Sequence, residues 1–252
     1  LAETAMSNVP DSSAPTASTA PTSPNAAGGA LRRTPLYALH RELGARMVEF
    51  AGYEMPVSYP DGILAEHRHC RSAAALFDVS HMGQLRLVGD GAAAALESLM
   101  PVDIIDLAVG RQRYAVLTNP SGGILDDLMV TRRPQDLLLV VNAARKEADL
   151  KHLQIGIGNR CQIVTMPDEA LLALQGPAAA LVLGRLAKDV GALRFMDSAA
   201  ITIAGVPCQV SRSGYTGEDG FEISLPADAA MGFARQLLAQ PEIKPAGLGA
   251  RD

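Results

Sequence analysis

The spacing of apolar residues after residue 33 predicts several amphipathic helices. Leu36, Leu39 and Leu43 follow Thr34-Pro35 at helical spacing, which predicts a first helix with Thr34 as its N-cap. The same kind of spacing predicts further helices over residues 63–75, 92–100, 144–154, 177–186 and 227–239.

Other segments have the pattern of β-strands. Residues 84–88 alternate polar and apolar side chains, whereas residues 137–141 form a continuous apolar run that is typical of a buried strand. Because helices and hairpin strands are mixed along the chain, the expected fold class is α+β with mostly antiparallel sheet. Further strands are predicted over residues 114–118, 128–131, 170–174, 206–211 and 221–225.

Composition separates the beginning of the chain from the rest. Alanine, serine, threonine and proline supply 21 of the first 30 residues, of which Glu3 and Asp11 are the charged ones. Such a segment buries too little apolar area to offset its chain entropy, so residues 1–33 are expected to be a disordered tail. At the other end, residues 247–252 have the composition of a turn that leads into a further element, so the molecule is expected to continue past Asp252.

The composition of the whole chain argues against some classes of function. With 22 basic and 27 acidic side chains among 252 residues, the formal net charge is −5, whereas sequence-independent nucleic-acid binding needs a basic surface. No apolar run reaches the ~20 residues that cross a bilayer, so no membrane association is expected. The three cysteines are far apart and odd in number, which favours reduced thiols in a cytosol over disulfides.

Two adjacent carboxylates, Asp126 and Asp127, follow Gly122-Gly123 at the mouth of a predicted strand. Successive strand residues face opposite sides, so only one of the two carboxylates can face a given pocket. A carboxylate among apolar neighbours is a candidate for acid–base chemistry, but from the residues alone a turn-capping aspartate beside a solvated one is favoured.

Two further segments have both a functional and a structural interpretation. Glu222 follows the glycine-rich loop 214–220 on a strand, where a ligand contact and the solvent side of an edge strand are both consistent with the pattern. His81 lies in a turn before a strand and titrates near neutral pH, but a hydrogen-bonded structural histidine is the more common case.

Metal and nucleotide motifs find no support in the sequence. His67, His69 and Cys70 do not share one face of a helix, and no second pair of ligands follows, so no metal site is predicted. The run 156–158 lacks the third glycine of a dinucleotide fingerprint, and there is no Walker A sequence and no Gly-x-Ser-x-Gly elbow.

Eight short runs follow the order of one known family. They lie at residues 34–37, 44–48, 76–83, 122–128, 140–143, 174–177, 213–218 and 247–252, and include LFDVSHMG, GGILDDL and GLGARD. Each run alone is weak, but together they are specific and cover nearly the whole predicted body. On these runs the chain resembles the aminomethyltransferase family of the glycine cleavage system, the T-proteins.

The resemblance implies a folate-dependent reaction. The family transfers a one-carbon unit from the aminomethyl group on the lipoyl arm of a partner, the H-protein, to tetrahydrofolate, and releases ammonia. It implies a monomer without a metal, in the cytoplasm of a bacterial-type cell or, alternatively, in the mitochondrial matrix. It also implies three domains around a central folate site: two interleaved ones, roughly 34–83 with 170–252 and 84–169, and a β-rich C-terminal one that the sequence lacks.

The same resemblance implies roles for individual residues. Asp126 is the implied catalytic carboxylate beside the pterin, where it would orient folate, raise the nucleophilicity of N5 and assist proton movement. Asp127 is expected to be structural, by the strand-alternation argument. The residues implied to bind folate are Met82, Tyr114, Asn142, Tyr215, Glu222 and Arg251.

Two alternatives remain open. One is a related folate-dependent demethylase of the kind fused to sarcosine or dimethylglycine dehydrogenases, although no flavin domain is present here. The other is a non-catalytic folate-binding factor of iron–sulfur assembly. Such factors carry a distinctive cysteine-containing motif, into which Cys70, Cys161 and Cys208 do not fall.

Overall fold

The computed structural model describes residues 30–251, so residues 1–29 of the predicted tail lie outside the described residues. The tail is predicted to end at residue 33, and backbone hydrogen bonds to the folded body begin one residue earlier, at Arg32. Arg32 forms an isolated parallel bridge with Tyr53, and its backbone N–H donates to the carbonyl of Gly52 at 2.9 Å.

The described chain contains seven α-helices, one short 3-10 helix over Lys188–Ala192 and thirteen strands. The helices are α1 (Tyr37–Glu42), α2 (Ile63–Ser72), α3 (Ala92–Glu97), α4 (Lys146–Ile157), α5 (Ala179–Leu186), α6 (Ala227–Leu238) and α7 (Leu248–Arg251). The strands are β1 (Arg46–Phe50), β2 (Tyr53–Ser58), β3 (Ala74–Asp78), β4 (Gly83–Val88), β5 (Gln112–Thr118), β6 (Ile124–Arg132), β7 (Asp136–Val141), β8 (Gln162–Thr165), β9 (Glu169–Gln175), β10 (Ser198–Ile203), β11 (Val206–Ser211), β12 (Gly220–Pro226) and β13 (Ile243–Pro245).

The strands form one hairpin and two larger sheets. β1 and β2 make the hairpin, the six-stranded sheet has the order β10-β11-β12-β9-β3-β13, and the five-stranded sheet has the order β5-β6-β7-β4-β8. Among the described strands, every pair is antiparallel except β13 with β3. The predicted α+β class with mostly antiparallel sheet is therefore confirmed.

The chain leaves the six-stranded sheet and later returns to it. β3 belongs to the six-stranded sheet, whereas β4 to β8 build the whole five-stranded sheet before β9 re-enters the first one. Residues 79–82 alone connect β3 to β4. Because this connection is so short, the two sheets have to lie side by side where it passes between them.

Each large sheet has its own apolar core, and a smaller one lies where the sheets meet. Residues of α5 and α6 pack on the six-stranded sheet, and residues of α3 and α4 on the five-stranded sheet. We call the smaller core the interface cluster; it contains Cys70, Ala75, Phe77, Val79, Val140, Leu171, Ala173, Ala246 and Ala250. No helix within residues 30–251 has both the length and the apolarity to cross a bilayer.

Some element boundaries differ from the prediction. The helix predicted over 63–75 ends at Ser72, because the alanine-rich segment that follows is buried as strand β3 and tertiary packing overrides its helix propensity. Thr34 is not the N-cap of α1. The N-cap residue is Leu36, and no side chain caps the first turn of the helix. Strands β1, β2, β3, β8, β10 and β13 are not predicted from the sequence.

Gly247 allows the segment that carries α7 to approach β2 closely. A Cβ atom at this position would lie 2.4 Å from the carbonyl carbon and oxygen of Val57. The N–H of Gly247 also donates to Oε2 of the buried Glu66 at 2.8 Å. These two contacts fix the position of α7, and with it Arg251.

We expect Gly247→Ala to lower the free energy of unfolding by about 1–3 kcal/mol, the usual cost of overpacking. Gly232→Ala is the matched control, because a Cβ there meets nothing within 4 Å. It should stabilise α6 by about 0.5–1 kcal/mol, since alanine favours helix. Chemical denaturation measures both variants, and equal stabilities would contradict the close approach at Gly247.

Candidate functional site

A cavity of about 510 Å³ lies between the two sheets. Residues 127–129 of β6, with side chains of β5 and β7, form one wall. The loop residues 213–215, Glu222 of β12 and Arg251 of α7 form the other. A mostly apolar lining with a few convergent polar groups, and a volume within about 300–1,000 Å³, are typical of small-molecule sites.

The cavity brings together most of the residues selected from the sequence. Met82, Tyr114, Asn142, Tyr215, Glu222 and Arg251 all line it. Asp126 is not among the described residues that line it, although it contacts one that does. The structure therefore groups these side chains, while their roles in binding and catalysis stay predictions.

The amide of Asn142 joins the two adjacent aspartates. Its Nδ2 donates to Asp126 Oδ1 at 3.1 Å, to Asp127 Oδ1 at 2.9 Å and to the backbone carbonyl of Asp127 at 3.1 Å. One neutral donor thus holds two carboxyl groups close together at the edge of the cavity.

Asp127 is among the residues that line the cavity and Asp126 is not, whereas strand alternation led to the expectation that Asp127 is structural. Asp127, Leu128 and Met129 of β6 all line the cavity, and all three are paired with β5. Pairing of β6 with β7 begins at Leu128, opposite Val141, so Asp127 is the one of the three with a neighbouring strand on one side only.

Glu222 and Arg251 form a buried ion pair in the opposite wall. Arg251 Nη2 lies 3.6 Å from Glu222 Oε1, with side-chain exposures of 3% and 10%. Burial raises the pKa of Glu222, and the neighbouring Arg251 acts in the opposite direction. Arg251 Nη1 is buried with no hydrogen-bond partner within residues 30–251, so it is a donor that a ligand acceptor would satisfy.

Aromatic side chains surround the cavity and remain exposed to solvent. Tyr114, Phe195 and Tyr215 are 56%, 69% and 62% exposed. The guanidinium of Arg251 lies 4.2 Å from the ring centroid of Tyr215. Grouped exposed apolar surface of this kind marks a contact with a ligand or partner. Sequence reasoning missed Phe195 and its neighbour Met196, since no motif surrounds them.

Gly214 allows the loop between β11 and β12 to pack against the six-stranded sheet. Its φ is +155°, and a Cβ would lie 1.9 Å from Gln175 Oε1. Gln175 in turn donates from Nε2 to the carbonyl of Ser213 at 2.9 Å. The glycine is thus required by packing, and this packing places the neighbouring Tyr215 at the cavity.

His81 is a buried side chain beside the cavity residue Met82. It lies edge-on to Phe50, with ring centroids 5.4 Å apart, and Nδ1 has no partner within the described residues. Burial lowers the pKa of His81 to about 4; Asp78 acts in the opposite direction, and Arg251 and Lys146 in the same direction as burial. The neutral imidazole is therefore favoured at pH 7.

Two of the side chains considered above as metal ligands, His69 and Cys70, make other contacts. His69 Nε2 lies 3.0 Å from the carbonyl oxygen of Glu242, and Cys70 Sγ donates to the carbonyl of Gln175 at 3.6 Å. Within residues 30–251, no three histidine, cysteine, aspartate or glutamate side chains are grouped as metal ligands. All three cysteines are free and buried.

The comparison with known families decides where the chain belongs. The model of the GCVT N-terminal domain matches residues 36–252. The chain belongs to the GCVT family. It is 44% identical over 238 residues to a mitochondrial aminomethyltransferase of Dictyostelium discoideum, and 47% identical over 233 residues to an aminomethyltransferase of Rubrobacter xylanophilus.

A solved structure of the GCVT family is also similar. The glycine cleavage system aminomethyltransferase T from Bartonella henselae matches with a TM-score of 0.81 and 42% identity. The match covers 88% of this chain and 59% of the Dictyostelium protein. It covers 90% of this chain and 61% of the Rubrobacter protein, and 88% of this chain and 61% of the Bartonella protein. The chain therefore spans about three fifths of its relatives' length.

His81 predicts a dependence of stability on pH. Its folded pKa of about 4 lies below the unfolded value of about 6.5, so the unfolded state binds the extra proton and stability falls as pH decreases from 6.5 toward 4. We expect a loss of about 2 kcal/mol between pH 8 and pH 5 from this residue.

The change His81→Gln should remove that part of the pH dependence. His67→Gln, at an exposed position of α2, is the matched control and should leave the dependence unchanged. Urea denaturation at several pH values measures the effect. The same pH dependence in wild type and His81→Gln would show that His81 is not held neutral.

Proposed function

We propose that this chain contains the pterin site of a tetrahydrofolate-dependent aminomethyltransferase of the glycine cleavage system. The reaction moves a one-carbon unit from aminomethyl-lipoyl H-protein to tetrahydrofolate and releases ammonia. The observation that carries the proposal is the cavity between the two sheets, where the side chains selected from the family motifs converge. The names of the relatives, aminomethyltransferases of bacterial and mitochondrial origin, support it.

The cavity has the chemistry that a reduced pterin requires. A pterin is flat, with apolar faces and an edge of N–H donors and carbonyl or ring-nitrogen acceptors. Met82, Leu128 and Val140 offer apolar contacts, Glu222 offers a carboxylate acceptor, and Arg251 has the unpartnered donor Nη1. Such a match of polar groups sets orientation, and burial of the ring supplies affinity.

The aspartates provide negative charge on the other side of the cavity. In the reaction N5 and N10 of tetrahydrofolate each lose a hydrogen, while the departing amine and the lipoyl sulfur each gain one. A carboxylate beside N5 stabilises the positive charge that develops as N5 attacks and favours proton movement away from it. We assign this catalytic role to Asp126, held with Asp127 by Asn142.

The proposal includes the setting of the reaction. The lipoylated H-protein is the partner that supplies the aminomethyl group, and the protein acts as a monomer. The two sheets correspond to two interleaved subdomains, with the five-stranded sheet inserted into the six-stranded one. The compartment is the bacterial cytoplasm, with the mitochondrial matrix as the alternative, since relatives of both origins are similar.

In the full-length protein, we expect Asp126→Asn to lower turnover by at least about 100-fold, the usual contribution of a general acid–base group. Tetrahydrofolate binding should persist, because asparagine has nearly the shape of aspartate and the residues that line the cavity are unchanged. Asp127→Asn, which alters the cavity wall itself, should weaken binding more than Asp126→Asn does. Steady-state kinetics and calorimetric titration measure both effects. Unchanged turnover in Asp126→Asn would refute the catalytic role.

We expect Glu222→Ala and Arg251→Ala each to weaken tetrahydrofolate binding about tenfold or more, since a charge-assisted hydrogen bond contributes about 1.5–3 kcal/mol. Glu147→Ala is the control, because that side chain is 83% exposed and pairs with Arg32. Equilibrium titration gives the dissociation constants, and thermal denaturation shows that each variant is folded. Equal constants for wild type and the two site variants would contradict the assigned pocket.

A further inference from the structure

A third carboxyl group, Asp149, lies behind the two aspartates of the cavity. It is in the first turn of α4, yet it is only 2% exposed. Asp149, Leu153 and Ile157 are spaced four residues apart and share the buried face of α4, on which the two apolar residues join the core of the five-stranded sheet. The packing of α4 thus forces an acidic side chain inward.

Asp149 and Asp126 are close neighbours inside the protein. After burial itself, the nearby Asp126 carboxyl is the main influence that raises the pKa of Asp149. Each of the two groups has its Oδ2 atom buried with no partner within residues 30–251. Ionised carboxylates are acceptors only, so two charged groups here would repel each other. One proton between them converts the contact into an O–H···O hydrogen bond.

We propose that Asp149 is a positioning residue that shares one proton with Asp126, so that the two groups together carry a single negative charge. This inference rests on the proposed function, in which Asp126 is the carboxylate beside the pterin. The shared proton fixes Asp126 Oδ2, while Asn142 holds Oδ1. Both oxygens are then restrained, and Asp126 keeps one orientation.

The charged surroundings make this proton sensitive to pH near neutrality. Burial and the adjacent Asp126 raise the pKa of Asp149 to about 7; Asp127 acts in the same direction and Arg145 in the opposite one. These groups lie on β6 and at the start of α4, and Tyr114 of β5 faces Asp127. Above this pH the second negative charge appears, and repulsion displaces Asp126.

The first test is a titration of the protein without folate. In ¹³C-labelled protein, we expect one aspartate carboxyl carbon to titrate near pH 7 and to be absent from Asp149→Asn. In Asp126→Asn the midpoint should move down, because the neighbouring negative charge is gone. Glu147→Gln, in the same helical turn but exposed, is the matched control and should change nothing. Wild-type protein in which every aspartate titrates below about pH 5 would overturn the proposal.

The second test is the pH dependence of turnover in the full-length protein. Wild-type kcat should fall as pH rises above 7. Asp149→Asn keeps a donor to Asp126 without a titrating proton, so it should retain kcat at pH 7 within a few-fold and lose the alkaline decline. Asp149→Ala should lower kcat at least tenfold at every pH. Identical profiles for wild type and Asp149→Asn would overturn the positioning role.

The two tests separate this inference from the proposed function. A carboxyl that titrates near pH 7 in a protein without aminomethyltransferase activity would support the shared proton and contradict the function. Full activity in a protein without such a carboxyl would support the function and contradict the shared proton.

Discussion

The short connection between β3 and β4 is the constraint on which the site depends. With only residues 79–82 between strands of different sheets, the two sheets meet along one line, and the interface cluster fills the space there. Gln84 reinforces this contact, since its Oε1 accepts a hydrogen bond from Ser224 of the other sheet at 2.6 Å. The cavity is the part of this junction that the interface cluster does not fill. Its shape therefore depends on how the two sheets pack against each other.

Charge is arranged on the two walls of this cavity in different ways. On the six-stranded side, the negative charge of Glu222 is balanced by a buried arginine that keeps one donor unpartnered. On the five-stranded side, Asp126 and Asp127 share the amide of Asn142, and within the described residues Arg145 is the cation that acts on the third carboxyl group, Asp149. The first wall suits recognition of a polar edge, and the second retains negative charge that would stabilise a developing positive charge.

The sequence predicted the fold class and the strands in which periodicity and burial agree, such as β7 and β11. It missed β3, whose alanines also suit a helix and which becomes a strand only through contacts with β9 and β13. Strand alternation led us to expect a structural Asp127, which lines the cavity; its position just before the first residue paired with β7 cannot be read from residue types. Asp149 gave no signal, since an acidic residue in the first turn of a helix is ordinary. Its unusual burial arises from tertiary packing of α4.

A crystal structure of the full-length protein with bound tetrahydrofolate would show where the pterin binds. We expect the pterin ring in the cavity between the sheets, with its polar edge on Glu222 and Arg251 and with N5 toward Asp126, Asp127 and Asn142. A pterin bound elsewhere, with these aspartates far from N5, would contradict this expectation.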